Sequence, residues 1–352
     1  MLKNRINPER LPSVFRKQYE LCAVKPGETI VFLTDQKADR NIVAAGIAAA
    51  AEIGNPAFEI CVGEGPSEEY MGSNPLDVPA LIEAMKHVDL VITFFVGFFS
   101  GWEQTVRVSG GRILHLLETP DQLVRLQSTP ELKQAVLAAR DRLARTQKVR
   151  VTSDAGTDFS WVRDADVPLV VHYGAVDEPG QMDQWGQGMV AMHPTEGSAV
   201  GRVVVKPGDA WILPYARMVQ SVIDLEVRDG FIRHVDGGTD AKIFKYWLDS
   251  CRTSAEDLDP YAISHLGWGL NPKARWDDIV RYENSMENLQ ASMRSFPGSF
   301  LFSTGPSPHR KTRGHIDMPM CDCTIALDDE VIIDRGRLID PAMIVDPDRA
   351  YH

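Results

Sequence analysis

Positive charge is scarce in this chain of 352 residues: 37 Lys and Arg stand against 49 Asp and Glu, for a formal net charge of -12. A protein that binds by neutralising phosphates needs a basic face. No long basic run exists here, so nucleic acid is not an expected partner. Cysteine is sparse and odd in number. The five (Cys22, Cys61, Cys251, Cys321, Cys323) lack a framework-like spacing, which argues against a disulfide scaffold and for a reducing compartment. No stretch approaches the length of a membrane span, and the charged start (Lys3, Arg5, Glu9, Arg10) lacks an apolar leader region. No membrane partner and a cytoplasmic location are therefore expected. Internal repeats and low-complexity tracts are missing too.

The sequence does hold ordinary core material. At 44% hydrophobic residues it can fill two domains or one large one. Residues 8–24 carry a helical pattern, 29–34 read as a strand, and 41–53 form an Ala-rich helix closed by Gly54-Asn55-Pro56. Strands follow at 58–62, 90–95 and 112–117, with a helix at 78–87. Alternation of this kind predicts an α/β domain with a doubly wound parallel sheet over residues 1–150. After an Arg-rich helix at 130–145 the texture changes to short strands and Gly/Pro turns. A β-rich α+β domain is expected over 151–352, with helices near 242–251 and 283–294.

Ligands of open parallel sheets gather beyond the carboxyl ends of strands, which singles out Asp35, residues 95–102 and Glu118. Gly63-x-Gly65 resembles the start of a dinucleotide loop, but Pro66 follows and the third glycine is missing.

The second domain is organised around Arg313-Gly314-His315-Ile316-Asp317-Met318-Pro319. His315 and Asp317 are two apart in a β-prone run, so an imidazole and a carboxylate point to one side of the strand. They supply two of the three ligands of a 2-His-1-carboxylate site, which leaves open positions on a non-haem Fe(II). His265, placed at a strand-to-loop edge by the glycines, Asn and Pro that follow it, is the best donor of the third ligand. Each motif alone is short enough to arise by chance.

Further candidates surround this set. In the acidic stretch 177–185, Glu178 and Asp183 are either solvated loop carboxylates or anchors for a polar ring substituent. His193 at a strand end can act as an acid/base near neutral pH, Glu196 can coordinate or orient, and a capping role fits either equally well. The basic knot His309-Arg310-Lys311-Thr312-Arg313 is a solvated loop or a lid that attracts an anion, with the first reading slightly favoured. Cys321 and Cys323 read as small strand residues rather than a soft metal site, because no second cysteine pair completes a tetrahedral set.

The segments from Tyr261 to Pro272, from Phe300 to Pro306, His315-Ile316-Asp317 and Asp177-Glu178-Pro179-Gly180 together resemble the 2,5-dihydroxypyridine 5,6-dioxygenase family. The likeness runs over most of the chain and is strongest from about residue 170 to 330. Through Gly156-Thr157-Asp158, Pro194-x-Glu196 and His315-x-Asp317 it extends, more distantly, to thermophilic metalloaminopeptidases. The resemblance implies Fe(II) held by His265, His315 and Asp317, with a small hydroxylated N-heterocycle and dioxygen as the molecules bound. A homo-oligomer is expected. It also implies an extradiol-type opening of 2,5-dihydroxypyridine to N-formylmaleamate, or of a close analogue. His193 is then the acid/base, Glu178 and Asp183 anchor the ring, and Ser303 and Thr304 offer hydrogen bonds. One departure stands out: Phe99 occupies a position where the family has a histidine, so it becomes an apolar wall of the substrate site. A metal-dependent aminopeptidase-like hydrolase is the rival reading, and it requires more carboxylate ligands than this set offers.

Overall fold

Strands buried on both faces carry near-continuous apolar runs, and Ile30-Val31-Phe32-Leu33 is such a run. In the computed structural model, which describes residues 10–63, 76–95, 100–282 and 290–346, Ile30–Thr34 is a fully buried strand. Ala57–Cys61 pairs with one side of it and Leu90–Thr93 with the other, both parallel. Arg112–His115 continues the sheet beside Leu90–Thr93, and Met182–Gln184 closes it as a fifth parallel strand. This is the strand order of a doubly wound sheet, in which connections reverse direction between the first and third strands. Val31, Leu33, Val91, Ile113, Trp102 and Val106 pack into one of its cores.

The helices start where local chemistry directs. Asp39 accepts a hydrogen bond from the Asn41 amide at the head of Arg40–Glu52, and Thr119 with Gln122 makes a capping box before Pro120–Arg125.

The chain divides into two units, 1–129 with 172–187 and 130–171 with 188–352. The change of texture near residue 150 therefore lies inside the second unit. The helix Pro130–Arg145, which the sequence reading gave to the first domain, belongs to the second. The acidic stretch 177–185 read as a loop, yet Met182–Gln184 is a strand of the first sheet, far along the chain from its neighbours. Its brevity hides it from any periodicity test.

The second unit is β-rich, as expected. An eight-stranded sheet includes the antiparallel run Val200–Val205, Ile223–Arg228 and Phe231–Gly237. A second sheet sets Ile316–Met320, Phe300–Thr304, Leu266–Gly269 and Met189–Met192 side by side, all antiparallel. Gly267 is required for this approach: a Cβ there would stand 2.0 Å from the Val190 carbonyl oxygen. Of the helix expected at 283–294, Gln290–Arg294 is the described part. No helix among the described residues is long and apolar enough to cross a membrane.

Candidate metal centre

The site is built at one end of this second sheet. Ser303 pairs with Asp317 across two neighbouring strands, and residues directly opposite share a face. On the next strand Gly267 pairs with Leu301, whereas Ile263 pairs with Thr304. The Ile263–Gly267 side thus carries one residue more than its partner, a bulge at Ser264 and His265. Bulges re-aim side chains, and this one turns His265 toward the Asp317 strand. The strand begins at Leu266, so His265 precedes it instead of following a strand that ends in glycines. Likewise His315 sits just before Ile316–Met320 and Asp317 within it.

The three predicted ligands come together. His265 Nε2 and His315 Nε2 each lie 3.3 Å from Asp317 Oδ1, and one donor atom from each residue fits within 4.8 Å of the others. Among the described residues no other group of three His, Cys, Asp or Glu does so. The residues fit a cation: Asp317 Oδ1 and His315 Nε2 are buried and end in no hydrogen bond among the described residues, a costly arrangement unless something positive sits there.

The electrostatics agree with that fit. Burial works to raise the Asp317 carboxyl, but the Arg294 guanidinium, then His315 and His265, outweigh it and hold the group well below the ordinary carboxylate range. Asp317 is therefore an anion. Burial lowers the His265 imidazole against the pull of Asp317, which favours the neutral ring that binds metals. Its Nδ1 meets Ser264 Oγ at 3.2 Å and Ser303 Oγ at 3.4 Å, leaving Nε2 for the site. Ser264 Oγ in turn donates to the Pro306 carbonyl.

Other predicted residues take different places. The His193 ring lies 6.0 Å from that of His265, and burial, followed by the neighbouring His265, pushes its imidazole down to about 3. Its Nδ1 is buried with no hydrogen-bond partner, and the ring lines a recess with Asp164, Glu196, Phe231, His309 and Arg310. Ser303 touches His265 rather than open space. Thr304 Oγ1 donates to the Gly314 carbonyl at 2.8 Å, which fixes the turn leading into His315. Glu196 is no ligand: its carboxylate pairs with Arg310 at 2.5 Å. The basic knot is a loop, as read, but Arg310 within it is not solvated: it also reaches Asp259 and lies over the Phe231 ring.

In the first unit, Asp183 is fully buried. It accepts from His172 Nδ1 and the Gln184 amide on one oxygen, and from the Tyr173 and Gly174 amides on the other. Glu178 is exposed in the adjoining turn. Phe99 lies outside the described residues. All five cysteines are free thiols. Sequence reasoning missed Arg294 and Ser264; Ser264 at least announces itself by adjacency to His265.

Residues 10–340 match the 2,5-dihydroxypyridine 5,6-dioxygenase family. The enzyme of that name from Pseudomonas putida KT2440 is 32% identical over 349 residues, covering 96% of this chain and 98% of that protein. The solved structure of 2,5-dihydroxypyridine dioxygenase from the same strain superposes with a TM-score of 0.88 at 30% identity, over 96% of this chain and 99% of that one. AmpT from Thermus thermophilus shares the fold alone, with a TM-score of 0.58 at 11% identity over 94% and 99% of the two chains. A family match over residues 10–340, with a relative 32% identical across 96% of the chain, means that this chain belongs to the 2,5-dihydroxypyridine 5,6-dioxygenase family.

Proposed function

We propose that this enzyme is a non-haem Fe(II) dioxygenase that opens the ring of 2,5-dihydroxypyridine, or of a close analogue, with N-formylmaleamate as the product of the parent compound. The observation that carries the reading is a set of two imidazoles and one carboxylate oxygen converging on a buried, uncompensated point, in a chain of this family. His265, His315 and Asp317 would hold the metal. Iron in such a set supplies electrons to dioxygen and keeps positions open for both reactants.

The protein's own residues do the rest. Ser264 and Ser303 hold the His265 ring, and Arg294 holds the Asp317 carboxylate. His193 stands beside His265 and its ring lines the recess, where an imidazole that burial keeps neutral orients a ring hydroxyl by hydrogen bonding. Pushed down to about 3, it is too weak a base to keep that proton, so the acid/base role expected of it near neutral pH is not retained. Asp183, with both oxygens occupied, makes no ring contact in this reading. The Phe99 departure is the reason for admitting close analogues. A two-metal hydrolase is not favoured, because the site offers a single carboxylate and Glu196 is paired elsewhere.

The test is turnover of 2,5-dihydroxypyridine by iron-loaded protein under labelled dioxygen. Both labelled atoms are expected in the product, and no turnover without oxygen. Product formed anaerobically, or carrying label from water alone after correction for exchange, overturns the reading.

A further inference from the structure

We infer that Arg294 is a positioning residue: by holding one oxygen of Asp317 it leaves the other as the only carboxylate atom offered to a divalent metal. The inference rests on the ligand set proposed above. Arg294 Nε donates to Asp317 Oδ2 at 2.7 Å, and a second guanidinium nitrogen donates to the same oxygen. Oδ1 ends in no hydrogen bond and faces both imidazoles at 3.3 Å. A carboxylate left to itself can give a cation one oxygen or both. Here Oδ2 is turned to a guanidinium that stays charged at any ordinary pH.

The arrangement is fixed from both sides. Asp317 is fully buried, and its backbone is tied to Ser303 on one strand and to Ile212 and Leu213 on the other side. Arg294 is held through the next residue: Ser295 accepts from the Gly188 amide with its hydroxyl and from the Asn271 amide with its carbonyl. That approach exists because residue 269 is glycine, since a Cβ there would stand 2.4 Å from the Ser295 carbonyl carbon. None of these ties depends on a bound molecule. Coordination positions that a two-oxygen carboxylate would fill are thereby kept for the reactants. Lysine would keep the charge but lose the two-pronged grip on one oxygen.

The experiment loads the metal-free full-length protein with Co(II) and records the visible absorption band and the affinity for wild type, Arg294→Met and Arg294→Lys, with circular dichroism as the check on folding. Arg294→Met is expected to bind Co(II) about 10- to 100-fold more weakly, as loss of an outer hydrogen-bond partner does. Its band should shift and lose intensity as the freed oxygen joins the metal. Arg294→Lys should restore part of the band. A folded Arg294→Met with wild-type spectrum and affinity overturns the inference. Should that variant not fold, Arg294→Gln, whose shorter side chain has a single nitrogen and cannot repeat the two-nitrogen grip on Oδ2, is judged by the same spectrum and the same criterion. Wild-type protein that takes up no Co(II) overturns the ligand set and this inference together, whereas normal loading with unchanged variants overturns this inference alone.

Discussion

Asp317 is the partner of a buried arginine and, in the proposed function, a metal ligand as well, and the two roles separate under mutation. Removing one member of a buried ion pair strands the other charge, which costs about 3–5 kcal/mol. Asp317→Ala should therefore lower the stability of the metal-free protein by roughly that amount, while His265→Ala and His315→Ala, which strand no charge, should lower it far less and still abolish iron binding. Denaturant unfolding of the three variants without metal, set beside their iron content, checks both halves. Equal stability in all three would contradict the Arg294 contact. The convergence of His315 and Asp317 was legible in the sequence because a strand puts residues two apart on one side, and the two side chains do meet. Arg294 was not legible, since it lies 23 positions from Asp317 along the chain and meets it only through tertiary packing. Asp183 shows the converse: its residue type suggested chemistry, but four N–H donors already occupy it.

At the level of strands, the parallel sheet was readable wherever apolar runs were long, as in Ile30–Thr34, and failed where the strand was three residues long and held Asp and Gln. The bulge at His265 was equally invisible, because an extra residue shows only when the partner strand is known. The carboxyl end of Arg112–His115 leads to a feature with a measurable pH signature. Burial raises the Glu118 carboxyl from 4.5 to about 8, against hydrogen bonds from the Leu117 amide and Gln184 Nε2. The folded state then holds a proton that the unfolded chain releases, so this group's contribution is complete below pH 4.5 and declines until the folded carboxyl ionises near 8. The slope is at most about 1.4 kcal/mol per pH unit. Glu118→Gln should match wild type at pH 4.5 and become progressively more stable than it toward pH 8, as read by urea midpoints across that range. A constant difference at all pH values would show that Glu118 does not titrate in this way.

For the molecule as a whole, the consequence lies in the discontinuous first unit. Residues 1–129 and 172–187 belong together, and Ser128 Oγ donates to the Tyr173 carbonyl, so the ends of the two segments are already in contact. A chain in which Thr129 runs through a short Gly/Ser linker into His172 should fold cooperatively by itself. A fragment cut at residue 150 should not, because it leaves the Arg112–His115 strand as an open edge. Thermal unfolding followed by circular dichroism, with sedimentation to detect aggregates, distinguishes the two; cooperative melting of the 1–150 fragment would remove the fifth strand from any part in stability. The same strand imposes a schedule on the ribosome. Residues 130–171 must be made before Met182–Gln184 can be added, so the nascent first sheet waits with an unpaired edge while part of the second unit emerges, and chaperones that shield exposed strands have their longest opportunity during that interval.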